Sequence, residues 1–128
     1  MGTLEGRKIL VVDDDLLIRS TIKLILRSID HFVIAEADDG DVALMQSDGF
    51  EPDVVLCDIA MPRMGGLQFV EQLRKHPQPR MHDIPVIILT GNADETTVRD
   101  ALRLRISGFV VKPVSPKALG AQLHKLFG

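Results

Sequence analysis

Asp58 follows an apolar run, Val54-Val-Leu-Cys57, and is followed at once by Ile59-Ala60-Met61-Pro62. Three further apolar runs also end in polar groups: Lys8-Ile-Leu-Val-Val12 in Asp13, Asp14 and Asp15, Ile84 to Leu89 in Thr90, and Gly108 to Val111 in Lys112. A carboxylate of this kind attacks phosphorus as a nucleophile. An ammonium group such as Lys112 neutralises charge on the equatorial oxygens of the transferring phosphoryl group, and a hydroxyl such as Thr90 hydrogen-bonds one of them. If the strand ends meet, Asp13, Asp14 and Asp58 repel, and without a counter-charge at least one of their pKa values rises. A divalent cation relieves that repulsion. An all-oxygen donor set suits Mg²⁺, with Mn²⁺ as the alternative, and not Zn²⁺. The histidines His31, His76, His82 and His124 show no metal-ligand spacing.

The elements that must hold these groups follow from the apolar pattern. Short, wholly apolar runs of β-branched residues read as strands buried on both faces, which belong to parallel sheets covered by helices. Strands are expected at 8–12, 32–35, 54–58, 84–90 and 108–112. Helical spacing of Ile18, Ile22, Ile25, Leu26 and Ile29 predicts a helix over 16–29, with Asp15 or Asp14 as its N-cap. Shorter helices are expected over 41–47, from 67 to about 75, over 94–104, and from Pro116 to the chain end behind the N-cap Ser115. The proline-rich link 76–83 is expected to be non-helical. Five strands alternating with five helices argue for an open parallel α/β sheet, and the flavodoxin-like strand order 2-1-3-4-5 puts strands 1 and 3 together at the switch point. That order brings Asp13 and Asp14 up to Asp58.

The 128 residues, of which 45% are hydrophobic, suffice for one domain, with a core expected over about 7–127. A net charge of −3 with no Trp or Tyr argues against nucleic-acid binding. The lone Cys57 cannot form an internal disulfide, and inside a buried strand it reads as an inert thiol suited to a reducing cytoplasm. No apolar window reaches the length of a membrane span, so a cytoplasmic protein without a membrane anchor is expected.

Taken together, Val11-Val12-Asp13-Asp14-Asp15, Leu56-Cys57-Asp58-Ile59-Ala60-Met61-Pro62-x-Met64-x-Gly66, Pro85 to Thr90 and Gly108-Phe109-Val110-Val111-Lys112-Pro113 resemble the receiver domain of two-component response regulators, over essentially the whole chain. The resemblance implies that Asp58 accepts a phosphoryl group from a phosphohistidine on a histidine kinase or a histidine phosphotransfer protein. It implies that Asp13, Asp14, Asp58 and the backbone carbonyl of Ala60 hold Mg²⁺, and that Lys112-Pro113 is a cis peptide. It also implies a switch in which Thr90 swings toward the phosphoryl oxygens and Phe109 enters the vacated space. That movement repacks the face made by the helix over 94–104, the strand over 108–112 and the last helix. Ala60 and Asn92 occupy positions that tune phosphoryl lifetime in similar proteins. Gly65 departs from the pattern, which usually has an acid there.

The expected function is a single-domain phosphoacceptor whose only catalysis is its own phosphorylation and dephosphorylation, with no output domain after the last helix. A receiver-like binding module, or a relay or phosphate-sink intermediate without a switched output, is the alternative. A phosphohydrolase of the haloacid dehalogenase kind needs a second acid two residues after the nucleophile, where Ala60 stands, and an FMN carrier needs a phosphate loop where three aspartates follow strand 1. Arg99, Arg103 and Arg105 read mainly as a solvated helix face, with an acidic partner surface as the sharper reading. Leu17 and Leu24, off the core stripe of their helix, are candidates to dock a kinase helix bundle.

Overall fold

A computed structural model describes residues 4–91 and 94–128. The chain order is β1 (Lys8–Val12), α1 (Leu16–Ile29), β2 (Val33–Ala37), α2 (Gly40–Phe50), β3 (Val54–Asp58), α3 (Gly66–Arg74), α4 (Pro79–His82), β4 (Val86–Thr90), α5 (Glu95–Arg103), β5 (Gly108–Val111) and α6 (Pro116–Phe127). All pairings are parallel, in the order β2-β1-β3-β4-β5 expected from the sequence.

Alternate residues of each strand feed two cores, because side-chain direction has period two. Leu10, Val12, Val55, Cys57 and Ile88 pack with Phe69, Val70 and Leu73 of α3 and Met81 of α4. Ile9, Val11, Val54, Leu56, Ile87 and Leu89 pack with Ile22 and Leu26 of α1 and Leu119 and Leu123 of α6. Leu4, which precedes the core bounds expected from sequence, is buried in the second cluster. Cys57 is buried in the first, and burial pushes its thiol well above the ordinary range. No helix among the described residues is long and apolar enough to cross a membrane.

The link 76–83 departs from expectation, since residues 79–82 form a turn of helix. Proline breaks a helix from within, yet Pro79 sits at the first helical position, where its missing N–H is no loss. Met81, buried at 2% exposure, anchors the turn to the core. β2 begins one residue and ends two residues later than its apolar run suggests, because its register is set by pairing with Lys8 to Val12 and brings Glu36 into the strand. α2 runs past the expected end at Ser47 through Asp48-Gly49 to Phe50, and its C-cap Glu51 takes a left-handed conformation (φ 54°). β4 starts at Val86, two residues after the expected Ile84, and β5 stops at Val111, one residue short of Lys112.

Candidate functional site

The register Val12↔Cys57, with Leu89 beside Asp58, brings the ends of β1, β3 and β4 to one edge of the sheet. Each group there is held by its own short-range bonds. Asp13 follows β1; its backbone N–H donates to the Ala37 carbonyl (3.1 Å) and its Oδ1 accepts from the Asp15 N–H (2.9 Å). Asp15 in turn caps α1 by accepting from the Leu17 N–H (2.9 Å). Arg19, one turn into α1, donates to the Asp13 carbonyl at 2.6 Å and to Glu36 at 3.1 Å. Asp58 Oδ1 accepts from the Ile59 N–H at 2.9 Å.

One carboxylate oxygen from each of Asp13, Asp14 and Asp58 lies within 4.8 Å of the other two. Asp13 is fully buried, Asp58 is 8% exposed and Asp14 faces solvent. Lys112 Nζ sits between the two buried acids, 2.9 Å from Asp13 Oδ2 and 3.2 Å from Asp58 Oδ1. Its backbone N–H donates to the Thr90 carbonyl (2.7 Å), which ties the end of β5 to the end of β4. The Lys112-Pro113 peptide bond is cis. Thr90 is 5% exposed, at the edge of the same cluster of strand ends. The register Ile88↔Phe109 and Thr90↔Val111 puts Thr90 and the half-buried Phe109 on one face of the sheet. Ala60 is exposed in the loop after β3, and Asn92 lies outside the described residues.

The electrostatics follow from this packing. Burial, reinforced by the Asp13 charge, holds the Asp58 carboxyl above the ordinary carboxylate range, against the pull of Lys112 and the Ile59 N–H. Burial works to lower the Lys112 ammonium, but its hydrogen bond and attraction to Asp13, together with Asp58, win and hold it above its usual value. One cation therefore counters two buried carboxylates and leaves an excess of negative charge, and the third acid, Asp14, opens the cluster to solvent. The donors are hard oxygens from three acids with solvent access, which fits a small divalent cation that keeps part of its water shell.

The arginines near α5 are each matched by an acid: Arg99 by Glu95 (3.1 Å), Arg103 by Asp100 (4.0 Å) and Arg105 by Asp83 (3.3 Å). Among the described residues that face carries paired, solvent-exposed charges. Leu17 is 73% exposed and lines, with Ile18, Thr21, Pro113 and Val114, an apolar groove of about 490 Å³ that reaches Lys112. Sequence reading did not anticipate Arg19, or the pair Arg63 and Asp39 in the loops beside the site. It also missed Arg74, which donates to the carbonyls of Leu104, His82, Ile84 and Arg105. Their partners are backbone groups or lie far along the chain, so no local pattern announces them.

Comparison with known proteins agrees with this geometry. The response regulator receiver domain model matches residues 9–124. Chemotaxis protein CheY of Pseudomonas aeruginosa is 33% identical over 120 residues, covering 94% of this chain and 95% of that protein. The transcriptional regulatory protein YdfI of Bacillus subtilis is 35% identical over 113 residues, covering 88% of this chain but 51% of that protein. The chain spans about half, or less, of the length of several curated relatives it matches. Among solved structures, Vibrio cholerae chemotaxis protein CheY4 superposes with a TM-score of 0.86 at 28% identity, covering 94% of this chain and 98% of that one. The carboxylates gathered at the β1/β3 switch point thus stand in a chain that belongs to the response regulator receiver domain family.

Proposed function

We propose that this domain is a phosphoacceptor switch in which Asp58 takes a phosphoryl group from a phosphohistidine on a histidine kinase or a histidine phosphotransfer protein. The observation that carries the reading is the Lys112 ammonium set between Asp13 and Asp58 at the strand ends. A carboxylate, a cation and further acids gathered at one edge of the sheet support that reading.

An Asp58 carboxylate oxygen forms the O–P bond as the N–P bond of the donor breaks, and the departing imidazole nitrogen keeps the electron pair and takes a proton. Asp13, Asp14, Asp58 and the Ala60 carbonyl would hold Mg²⁺, or Mn²⁺ in its place. When bound, that ion neutralises charge on the phosphoryl oxygens. Lys112 moves from countering carboxylates to countering the phosphoryl group, and Thr90 donates its hydroxyl to one phosphoryl oxygen. Water attack on the phosphorus of the acyl phosphate returns Asp58 and releases inorganic phosphate, and by the resemblance Ala60 and Asn92 tune the rate of that loss. Domain bounds of 1–128, a cytoplasmic setting and a downstream protein target belong to the same reading.

The output follows from the face shared by Thr90 and Phe109. Movement of Thr90 toward the phosphoryl group frees space beside Ile88 that the Phe109 ring fills, which repacks the surface of α5, β5 and α6. Phosphorylation then shifts a population between two packings. The groove beside Lys112, with Leu17 at its rim, suits a helix of the phosphodonor.

Amide NMR of the Mg²⁺-loaded protein, before and after beryllofluoride, tests the proposal. Shifts at Asp58, Thr90 and Lys112 that spread to Phe109 and α5, and vanish in Asp58→Asn, are the expected result. An unchanged wild-type spectrum refutes it.

A further inference from the structure

The geometry points to Arg63 and Asp39 as a positioning pair that fixes the loop carrying the site's backbone ligand. This inference rests on the reading of Asp13, Asp14, Asp58 and the Ala60 carbonyl as a divalent-cation site. The loop over 59–65 leaves the sheet directly after Asp58 and returns at Gly66, whose N–H donates to the Ile59 carbonyl at 2.8 Å. Between these points the loop touches the turn before α2 in two ways. The Gly40 N–H donates to the Met64 carbonyl at 3.0 Å. Arg63 reaches across 24 residues of sequence to donate its Nη2 to Asp39 Oδ2.

The two partners are unlike in setting. The Asp39 side chain is 1% exposed, whereas that of Arg63 is 69% exposed and draped over it. Asp39 already has a local task, since its Oδ1 accepts from the Val42 N–H (2.9 Å) and caps α2. The second oxygen is left for the arginine. The Val42 N–H and then Arg63 hold the Asp39 carboxyl below its usual range, and Asp39 holds the guanidinium above its own. Arg63 takes a left-handed backbone (φ 60°), a conformation uncommon for a side-chain-bearing residue outside a fixed turn. Close approach at Gly40 keeps the two loops in register: a Cβ there would lie 2.5 Å from Met64 Cγ and 2.8 Å from the Met64 carbonyl oxygen. The loop after the phosphoacceptor is therefore clamped to the α2 N-terminus by one main-chain and one side-chain bond, with Ala60 between the clamp and Asp58. Neither Arg63 nor Asp39 is among the residues proposed to touch metal or phosphoryl group; the pair acts through the position of the Ala60 carbonyl.

Arg63→Ala and Asp39→Asn separate this role from helix capping, because asparagine caps a helix about as well as aspartate but carries no charge for the arginine. Calorimetric Mg²⁺ titration of the unphosphorylated protein is the primary readout, since the chain has no Trp or Tyr to report binding by fluorescence. Each variant is expected to bind Mg²⁺ roughly tenfold more weakly, as outer-shell partners of metal ligands commonly do. The double variant should be no weaker than either single one, and Arg63→Lys should recover part of the loss. In the metal-free protein, amide exchange at Gly40 and Gly66 should speed up in both variants, while exchange in the strands stays as in wild type. Unchanged Mg²⁺ affinity in both variants overturns the inference, including when thermal stability falls, since that would make the pair merely structural. Failure of the wild-type protein to bind Mg²⁺ overturns the metal reading and this inference together, whereas wild-type binding with equal variant affinities overturns this inference alone.

Discussion

Gly66→Ala tests how closely the loop after β3 dictates the position of Asp58. A Cβ on Gly66 would lie 2.0 Å from the Asp58 carbonyl oxygen, 2.9 Å from its carbonyl carbon and 3.0 Å from the Ile59 Cα. All three are main-chain atoms, so no side chain can swing aside. Real Cβ contacts essentially never fall below 3.0 Å, and the strand end must therefore retreat by about 1 Å, a strain of about 1–3 kcal/mol in a packed interior. The same shift moves the Asp58 carboxylate relative to Asp13 and Lys112, and a displacement of that size at a reacting group costs about 10²-fold in rate. The neighbouring Gly65→Ala is the control. Its Cβ would meet only the Ile59 carbonyl oxygen at 3.1 Å, on a backbone with φ −75° that any residue adopts. Phosphorylation by a small-molecule acyl phosphate with Mg²⁺, followed as the mass gain on intact protein, should be about a hundredfold slower in Gly66→Ala. In Gly65→Ala it should stay within roughly threefold of wild type. A urea melt confirms that each variant is folded under the assay conditions. Equal rates for Gly66→Ala and wild type, with both folded, would refute the claim that this backbone contact sets the nucleophile.

Two further outcomes follow from the charges. Asp58→Asn should stabilise the metal-free protein at neutral pH by about 0.5–2 kcal/mol, because it removes a buried carboxylate that burial and Asp13 hold above its unfolded pKa. The sign is set by linkage: a raised folded pKa means that ionised Asp58 opposes folding. The penalty is complete above the folded value and disappears as pH falls below the ordinary carboxylate range, so the two proteins should converge in acid. Urea melts across pH measure this, and Mg²⁺ should then raise the stability of the wild type more than that of the variant. Arg74→Leu should cost about 2–4 kcal/mol, since it strands four carbonyls that now share one guanidinium. A urea melt with a midpoint equal to wild type would show that water replaces the arginine at no cost.

The strand order and the cluster of Asp13, Asp58, Thr90 and Lys112 were legible in the sequence because each rests on a local signal. Val54 to Cys57 is a short apolar run without alternation, rich in β-branched residues and bounded by Pro52 and Pro62, which fits a strand covered on both faces, and the polar residue ending each run marks the sheet edge. Parallel order then places these ends together without any knowledge of individual contacts. Element limits were less legible, since β2 takes its register from β1 and includes Glu36, a residue whose charge argues against a strand until Arg19 and Lys23 are seen to neutralise it at 3.1 and 2.8 Å. The turn at Pro79 was misread because proline stops a helix from within but starts one well, and only the burial of Met81 decides between these roles.

What stayed invisible has a common physical form. Asp39 caps α2 with the Val42 N–H on one oxygen, and the other oxygen is committed to a residue 24 positions away. Arg63, next to Pro62 in an exposed loop, carries no sequence mark of a partner. A carboxylate has two oxygens, so a local bond that fully accounts for its place in the sequence leaves half of its capacity unassigned. The same holds for Asp13, which accepts from the Asp15 N–H on Oδ1 and from Lys112 on Oδ2. In Asp39 and Asp13 the local oxygen shapes the turn and the other joins that turn to another strand or loop, whereas in Asp58 a single oxygen, Oδ1, meets both the Ile59 N–H and Lys112. Chemistry at the strand ends depends on the second set of bonds, because they determine whether groups from β1, β3 and β5 arrive within one phosphoryl group's reach of each other.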